Sequence, residues 1–227
     1  MKLGIIIQAR MSSSRLPGKV LQSILGKPML QYLLERLEHR DAHDPVIVAT
    51  SSDASDREIA DFCRSHGILC HRGPLENVAL RFSEAARAAS LDAFVRVNGD
   101  SPLLDQRLVD KGVALFREGK WDLVSNVQKR SFPKGQSVEV IRGAPFHRAI
   151  NALVDSEDRE HATRYFYREE ARFKILNFES GHSWSTVSLS VDTAADKAHV
   201  EAILTRMDRP HWEYDLSQIM DIHRELS

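Results

Sequence analysis

The chain has 227 residues, of which 28% are charged and 42% hydrophobic, and this composition is typical of a soluble globular protein with one large domain. Its formal net charge of −1 argues against nonspecific nucleic-acid binding, which needs a broad basic surface. No apolar run approaches the roughly 20 residues that span a bilayer, so no membrane association is expected. The first apolar run is too short for a signal peptide. We therefore expect a cytoplasmic protein with two reduced cysteines.

Apolar runs alternate with helical patterns through the first half of the chain. The runs predict buried strands at residues 3–7, 46–49, 68–70, 93–97 and 123–124. Apolar side chains at spacings of three and four predict helices at residues 28–38, 55–65, 76–89 and 108–116. This alternation predicts an α/β fold with a mainly parallel sheet covered by helices on both faces. Ligands bind such sheets beyond the carboxyl ends of the strands.

The pattern changes at residues 130–185, which we expect to form a small insertion subdomain with antiparallel pairing, a lid or a dimer arm. Its predicted elements are a strand at residues 138–141, two helical stretches and a strand at residues 173–178. Regular alternation then resumes with a strand at residues 187–191 and helices at residues 194–207 and 215–226. We treat residues 1–227 as a single domain.

The loop at residues 8–19, directly after the first predicted strand, carries a cluster of cations. Arg10, Arg15 and Lys19 alternate there with serines and a glycine. Small residues let backbone N–H groups approach an anion, and Arg and Lys bind phosphate oxygens. An ordinary polar surface loop is the alternative interpretation. Because the Walker and dinucleotide glycine patterns are missing, the sequence predicts a phosphate-binding loop of another kind.

Two aspartates follow later predicted strands and should meet this loop at the same edge of the sheet. Asp100 lies in the sequence NGDSP at residues 98–102, and Asp192 follows the strand predicted at residues 187–191. Either aspartate, or Ser101 in the first case, could instead cap the next helix. Two carboxylates beside a triphosphate suit Mg²⁺, which completes its ligands with phosphate and water.

The segment IIQARMSSSRLPGKVL at residues 6–21 closely resembles the opening of sugar cytidylyltransferases. The resemblance is strongest to the SpsF-like branch of spore-coat polysaccharide biosynthesis, with the acylneuraminate and 3-deoxy-manno-octulosonate cytidylyltransferases more distant. Further matches follow in order: GKPM at 26–29, Arg72-Gly73, Asn77-Val78, Arg81, RVNGDSP at 96–102, Ser125-Asn126, REH at 159–161 and VDT at 191–193. The resemblance covers nearly the whole chain and implies the Rossmann-like fold of nucleotide-diphospho-sugar transferases.

The resemblance also implies a reaction and a set of site residues. The reaction is transfer of CMP from CTP to a hydroxyl of a sugar or sugar-like acid, with release of pyrophosphate, by a Mg²⁺-dependent homodimer. Arg15 and Lys19 would be catalytic, and Asp100 and Asp192 would bind the metal. The implied nucleotide-binding residues are Gln8, Ala9, Arg10, Ser12, Arg15, Lys19, Arg72, Gly73, Asn77, Arg81, Asn98 and Asp100. The implied acceptor-binding residues are Ser125, Asn126, Lys134, Ser137, Glu139 and His161.

One segment departs from the family pattern. The SpsF-like sequence is Pro-x-Gly-Leu-Asp-x-Glu, whereas this chain has PKGQSVE at residues 133–139. Glu139 is kept, but Gln136 and Ser137 replace the leucine and the aspartate. Loss of a carboxylate beside Lys134 makes the acceptor pocket more cationic, which predicts an acidic acceptor such as a carboxylated or phosphorylated sugar or a phosphonate. The change also leaves open an altered or lost activity.

Other function classes stay open. One is a nucleotidyltransferase that uses another nucleotide or a non-sugar acceptor, and another is a non-catalytic module that binds sugar nucleotides. A glycosyltransferase is the third, but it would need an Asp-x-Asp sequence near residue 100, where this chain has Asn98-Gly99-Asp100.

Overall fold

Strands and helices alternate as the sequence predicts in the computed structural model, which describes residues 1–226. The strands are β1 (Leu3–Gln8), β2 (Ser23–Ile24), β3 (Lys27–Pro28), β4 (Val46–Ser51), β5 (Leu69–Gly73), β6 (Ala93–Asn98), β7 (Leu123–Ser125), β8 (Glu139–Arg142) and β9 (Ile175–Asn177). The helices are α1 (Met29–Glu38), α2 (Arg57–Ser65), α3 (Val78–Ala88), α4 (Gln106–Glu118), α5 (Gly143–Ile150), α6 (Ser156–Glu160), α7 (Arg164–Arg168), α8 (Ala194–Thr205) and α9 (Leu216–Leu226). Short 3₁₀ helices cover Lys19–Leu21, Ala54–Asp56, Glu170–Arg172 and His211–Glu213.

Seven strands form one sheet in the order β5-β4-β1-β6-β8-β7-β9. The strands β5, β4, β1 and β6 are parallel, whereas β8 is antiparallel to both of its neighbours. The predicted mainly parallel sheet is therefore confirmed. Gln8 pairs with Ala49 and with Asn98, so the carboxyl ends of three central strands lie side by side. This edge is where the loop after β1 and the loop after β6 meet.

Both faces of the sheet are buried, which explains why its strands are continuous apolar runs. In β1, Ile5 and Ile7 belong to one apolar cluster and Ile6 to the other. The first cluster packs against α1, α4, α8 and α9, and the second against α3, α5 and α7. The longest helix within residues 1–226 is α4, with 13 residues. None of the helices in that range combines the length and the hydropathy that a membrane span needs.

Residues 130–185 contribute two strands to the main sheet. β8 pairs with β6 and β7, and β9 pairs in parallel with β7. The antiparallel pairing expected for this segment is therefore present, and it extends the central sheet. The remaining residues of the segment include α5, α6 and α7, whose buried side chains Phe146, Tyr165 and Phe166 pack on the second face.

The prediction of a strand at residues 187–191 is wrong. This stretch is extended, but it makes one isolated parallel bridge between Ser188 and Lys134. The Lys134 backbone bonds to Val187 and Leu189, and the N–H of Val191 donates to the Asp100 carbonyl at 2.9 Å. These partners lie in loops, so no ladder of strand hydrogen bonds forms. Buried Leu189 and Val191 account for the apolar pattern without a strand.

Candidate active site

The loop after β1 folds back on itself around the backbone carbonyl of Met11. The Met11 carbonyl accepts hydrogen bonds from the N–H groups of Ser13 and Gly18, both at 2.9 Å. Gly18 has φ of +68°, in the left-handed region that favours glycine. The turn at Gly18 leads into the 3₁₀ helix that begins at Lys19. The loop therefore brings its last cation back towards the carboxyl edge of the sheet.

The ammonium group of Lys19 lies between two aspartates. Its Nζ is 2.9 Å from Asp100 Oδ2 and 2.8 Å from Asp192 Oδ1, and it donates to the Val191 carbonyl at 2.8 Å. Only 11% of the Lys19 side chain is exposed. Burial lowers the pKa of Lys19, but the two ion pairs outweigh burial and raise that pKa above its ordinary value. Lys19 is therefore a fixed positive charge at neutral pH.

The two arginines of the loop also have carboxylate partners. Arg15 Nη2 lies 3.1 Å from Asp192 Oδ1, and Arg10 Nη2 lies 2.8 Å from Glu160 Oε1. Glu160 is the last residue of α6, so Arg10 joins the loop to residues 130–185. An anion that enters the site must compete with these carboxylates for the cations.

These side chains surround a cavity of about 470 Å³, a size usual for small-molecule sites. Its lining residues are Gln8, Ala9, Arg10, Ser12, Ser13, Ser14, Arg15, Lys19, Val20, Asn98, Asp100 and Asp192. A groove of about 520 Å³ lies between α1 and α2, and its lining is apolar and acidic, with Glu35, Glu38 and Asp44 among its residues. An acidic groove does not suit a triphosphate, so the cation-lined cavity is the candidate active site.

Backbone contacts between loops bring Asp100 and Asp192 together. The N–H of Gly99 donates to the Gln8 carbonyl at 2.8 Å, and the N–H of Val191 donates to the Asp100 carbonyl at 2.9 Å. A Cβ at Gly99 would lie 2.9 Å from the Gln8 carbonyl oxygen, so a side chain would force the two loops apart. The glycine therefore lets Asp100 lie beside the loop after β1.

The helix-cap alternative for the two aspartates is wrong. Asp105 caps α4 by accepting from the Arg107 N–H at 3.1 Å. Thr193 caps α8 in a capping box with Asp196. Neither aspartate, nor Ser101, is the cap, because α4 begins four residues beyond Pro102 and a threonine stands directly before α8. The carboxylates of Asp100 and Asp192 are directed instead to Lys19.

The donor set at this position fits Mg²⁺. Within residues 1–226, no group of three or more His, Cys, Asp or Glu side chains is arranged to hold a metal ion. Asp100 and Asp192 supply carboxylate oxygens at the cavity wall. Mg²⁺ commonly takes one or two carboxylates and fills its other positions with phosphate oxygens and water. These two residues therefore suit a magnesium ion that enters together with a triphosphate.

Four residues implied to contact the nucleoside lie outside the cavity lining, where they shape the loops between β4 and α3. Arg72 donates to the carbonyls of Ser51 and Asp53, at 2.9 and 2.6 Å. Asn77 caps α3 through the Leu80 N–H. Arg81 is fully buried and donates to the Pro74 carbonyl at 2.8 Å, and a Cβ at Gly73 would lie 3.0 Å from Arg81 Cγ. Their role in nucleoside binding stays a prediction.

Two of the implied acceptor residues, Ser125 and Glu139, share a buried polar network. Glu139 Oε2 lies 2.5 Å from Arg96 Nη1, and its other oxygen accepts a hydrogen bond from the Tyr167 hydroxyl. Tyr167 also bonds to Ser125 Oγ at 2.6 Å. Burial and the neighbouring Glu139 carboxylate raise the pKa of Tyr167 well above its ordinary value. Arg96 Nη2 reaches Gln8 Oε1 at 3.4 Å, so the network adjoins the cavity.

The other four implied acceptor residues are Asn126, Lys134, Ser137 and His161, and none of them lines the cavity. Both polar atoms of the buried Asn126 side chain bond to backbone groups of the segment before β8. Ser137 Oγ accepts from Arg130 at 3.3 Å, and Lys134 is exposed. The His161 side chain is 60% exposed, 3.9 Å from Glu157. The cavity lining thus includes eight of the residues implied to bind the nucleotide and none of those implied to bind the acceptor.

Three residues near the site did not come from the sequence reasoning. Glu160 lies in the matched REH motif, beside the histidine that was selected. Arg96 opens the RVNGDSP motif and could have been found there, since a charged residue in a buried strand needs a partner. Tyr167 carried no signal, because its partner Glu139 is 28 residues away.

Comparisons with known proteins agree with this geometry. The cytidylyltransferase family profile matches residues 4–208. The spore coat polysaccharide biosynthesis protein SpsF of Bacillus subtilis (strain 168) is 29% identical over 216 residues, which cover 90% of this chain and 88% of SpsF.

Two solved structures share the fold. A cytidylyltransferase from Leptospira borgpetersenii serovar Hardjo-bovis has a TM-score of 0.93 at 26% identity, covering 100% of this chain and 95% of that one. A CMP:2-keto-3-deoxy-manno-octonic acid synthetase complexed with CTP has a TM-score of 0.70 at 21% identity, covering 91% and 99%. With the family match over 4–208, the chain belongs to the cytidylyltransferase family and is a nucleotidyltransferase enzyme.

Proposed function

We propose that the enzyme transfers CMP from CTP to a hydroxyl of an acidic sugar or sugar-like acceptor and releases pyrophosphate, for surface polysaccharide or glycan precursor biosynthesis. The observation that carries the proposal is the convergence of Arg10, Arg15 and Lys19 with Asp100 and Asp192 on one cavity. Three cations suit a triphosphate, and two carboxylates suit its metal ion.

The choice of CTP rests on the family and on the position of the cavity. The related synthetase of known structure is a complex with CTP. In this chain, Gln8 and Ala9 line the cavity at the carboxyl end of β1, and Asn98 lines it at the end of β6. We expect their backbone groups to meet the base and ribose, with Ser12 and the three cations on the triphosphate.

The reaction is an in-line displacement at phosphorus, for which the protein mainly positions groups and stabilises charge. The acceptor oxygen attacks the α-phosphorus, and its proton passes to solvent water. The bond from that phosphorus to the oxygen bridging to the β-phosphate breaks, and pyrophosphate leaves with the electron pair. Lys19 neutralises charge on the reacting and leaving phosphates, and Arg15 binds the triphosphate. A hydrogen-bonded, charged Lys19 suits this role without any covalent nucleophile.

Mg²⁺ would be held by Asp100 and Asp192, and when bound it would polarise the phosphoryl oxygens. We expect Asp100→Asn and Asp192→Asn each to abolish pyrophosphate release from CTP while leaving the circular dichroism spectrum unchanged. Full activity in both variants would remove these residues from the mechanism.

The acceptor side is proposed to include Ser125, Asn126, Lys134, Ser137, Glu139 and His161. Support comes from the network of Ser125 and Glu139, which adjoins the cavity through Arg96 and Gln8. Arg130 contacts Ser137, so two basic residues, Arg130 and Lys134, lie on this segment. An acidic acceptor would complement them. The Ser137→Asp variant should shift preference towards neutral acceptors, and an unchanged preference would contradict this proposal.

A direct test is a screen for pyrophosphate release. CTP, UTP and GTP are each offered with carboxylated, phosphorylated and neutral sugars and with phosphonates. Turnover restricted to CTP with an acidic sugar supports the proposal. Turnover with another nucleotide, or only with a non-sugar acceptor, would favour a nucleotidyltransferase of different specificity. Binding of the nucleotide without turnover would favour a non-catalytic module. Light scattering tests the expected homodimer, for which residues 130–185 are the proposed contact.

A further inference from the structure

Asp56 is a buried carboxylate that joins two loops at the carboxyl edge of the sheet. It lies between β4 and α2 and is fully buried. Its Oδ1 accepts the N–H of Met11 at 2.7 Å, and its Oδ2 accepts the N–H of Ser51 at 3.0 Å. Both carboxylate oxygens are therefore used on backbone groups, one in the loop after β1 and one at the end of β4.

The backbone of Met11 is the centre of the cation-bearing loop. Its N–H is held by Asp56, while its carbonyl accepts from Ser13 and Gly18 at 2.9 Å. The residue before Met11 is Arg10, and the residue after Gly18 is Lys19. A chain of hydrogen bonds thus runs from Asp56 through Met11 to the turn that presents Lys19.

A buried carboxylate is costly unless donors or a cation compensate its charge. Besides its two N–H donors, Asp56 has Arg81 as a nearby buried cation. Burial lowers the pKa of Arg81, and the charge of Asp56 opposes that effect. Within residues 1–226, Arg81 Nε and Nη2 have no hydrogen-bond partner, so Arg81 supports Asp56 through space rather than by direct contact. Both oxygens of Asp56 stay available for the two loops.

We propose that Asp56 is a positioning residue that holds the loop of residues 8–19 in its nucleotide-binding shape. The proposal rests on the proposed function, because it takes a triphosphate as the ligand of that loop. Without Asp56 the loop would sample other conformers, and the ligand would bind only the competent fraction. The apparent affinity then falls by that fraction, whereas the bound state is unchanged at saturation.

The test is the Asp56→Asn variant, which keeps the size of the side chain but turns one acceptor oxygen into a donor that faces an N–H. We expect the KM for CTP to rise about tenfold, with kcat and the KM for the acceptor within threefold of the unsubstituted enzyme. Asp53→Asn is the matched control. Asp53 is an exposed residue that lies, like Asp56, between β4 and α2, and its side chain accepts the Ser55 N–H. The Asp53→Asn variant should leave the KM for CTP unchanged.

A KM for CTP within threefold of the original in Asp56→Asn, or a fall in kcat at unchanged KM, would overturn the proposal. If the variant does not fold, amide hydrogen exchange on the unsubstituted enzyme decides. The Met11 amide should exchange at least 100-fold more slowly than its intrinsic unprotected rate, and an unprotected Met11 amide would overturn the proposal.

Inorganic pyrophosphate with Mg²⁺ separates this proposal from the proposed function. A tenfold weaker binding of pyrophosphate in Asp56→Asn, with no effect in Asp53→Asn, supports Asp56 even if CTP is not the substrate. Turnover of CTP with unaltered pyrophosphate binding in Asp56→Asn would support the function and overturn the role of Asp56.

Discussion

Asp192 holds two cations of the active site with a single oxygen, which makes its removal informative. Its Oδ1 lies 2.8 Å from Lys19 Nζ and 3.1 Å from Arg15 Nη2. A phosphate that binds without a metal ion must displace this carboxylate from both cations. The Asp192→Asn variant should therefore bind inorganic pyrophosphate more tightly than the original enzyme in the absence of metal, although its activity with Mg²⁺ is lost.

The magnitude follows from the burial of each pair. The Lys19 side chain is 11% exposed and Asp192 is 34% exposed, so their charged hydrogen bond contributes on the order of 1.5 kcal/mol. Arg15 is 64% exposed, and its pair adds little. A gain of about 1.5 kcal/mol corresponds to roughly tenfold tighter binding. Asp100→Asn should give a gain of the same order, because Asp100 Oδ2 lies 2.9 Å from Lys19 Nζ and is also released from it.

The assay is isothermal titration calorimetry with inorganic pyrophosphate in excess EDTA. Asp61→Asn is the control, since Asp61 is an exposed acid on α2 that pairs with Arg64 away from the cavity. The Asp192→Asn substitution made in a Lys19→Met variant distinguishes release of Lys19 from simple repulsion between Asp192 and pyrophosphate. Without Lys19, Asp192→Asn should lose most of its gain in pyrophosphate affinity. Equal or weaker binding by Asp192→Asn, or a full gain that persists without Lys19, would refute the reasoning.

Three further predictions concern chemistry and stability. Lys19→Gln should lower kcat/KM for CTP by roughly 100-fold to 1000-fold, as loss of a fixed charge donor does elsewhere, and a loss under tenfold would contradict its role. Tyr167→Phe removes the hydroxyl that bonds Glu139 and Ser125, and should reduce the free energy of unfolding by about 1–3 kcal/mol in urea titrations. Burial lowers the pKa of His211 to about 4, so stability should fall as the pH drops from about 6.5 towards 4. That loss is about 2 kcal/mol at pH 5, and His211→Gln should not show it.

Two of the loops that line the cavity could be predicted to meet, because they directly follow the parallel strands β1 and β6. The register of Gln8 with Asn98 brings the loops after β1 and β6 together without any further information. Asp192 was selected for the wrong reason, since no strand precedes it. Its position is fixed by contacts between loops, among them the bond from the Val191 N–H to the Asp100 carbonyl and the bond from Lys19 to the Val191 carbonyl, and a sequence pattern does not encode such contacts.

The cap of α4 shows the limit of local reasoning. The sequence before this helix contains Asp100, Ser101 and Asp105, and each residue type caps helices well. Proline suits the first turn of a helix, so Pro102 favours Asp100 or Ser101 as the cap. The helix begins later because buried Leu103 and Leu104 pack in the core first, and because the Asp105 N–H and the Leu103 carbonyl bond to Gln136. Gln136, a departure from the family pattern, is thus a structural residue.

The acceptor side was harder because its contacts join distant segments. Glu139 meets Arg96 and Tyr167, which are 43 and 28 residues away in the chain. The short helix α6 has five residues, too few for a periodic pattern to show that Glu160 rather than His161 is the one that reaches Arg10. The role of His161 in acceptor binding stays a prediction.

The carboxylate partners also affect how strongly the cations of the loop can bind phosphate. The sequence predicts that the three cations of this loop bind phosphate. In the structure each of them, Arg10, Arg15 and Lys19, is paired with a carboxylate. A cavity whose charges are paired in this way gives a free triphosphate little net attraction, since each new ion pair replaces an old one. A metal ion held by Asp100 and Asp192 would free Lys19 and Arg15 from their carboxylate partners, so the two positive groups would become available to phosphate together. The enzyme would then need a divalent ion both to free its cations from the carboxylates and to promote the reaction at phosphorus. A measurement of pyrophosphate binding, in which no turnover occurs, separates the first contribution from the second.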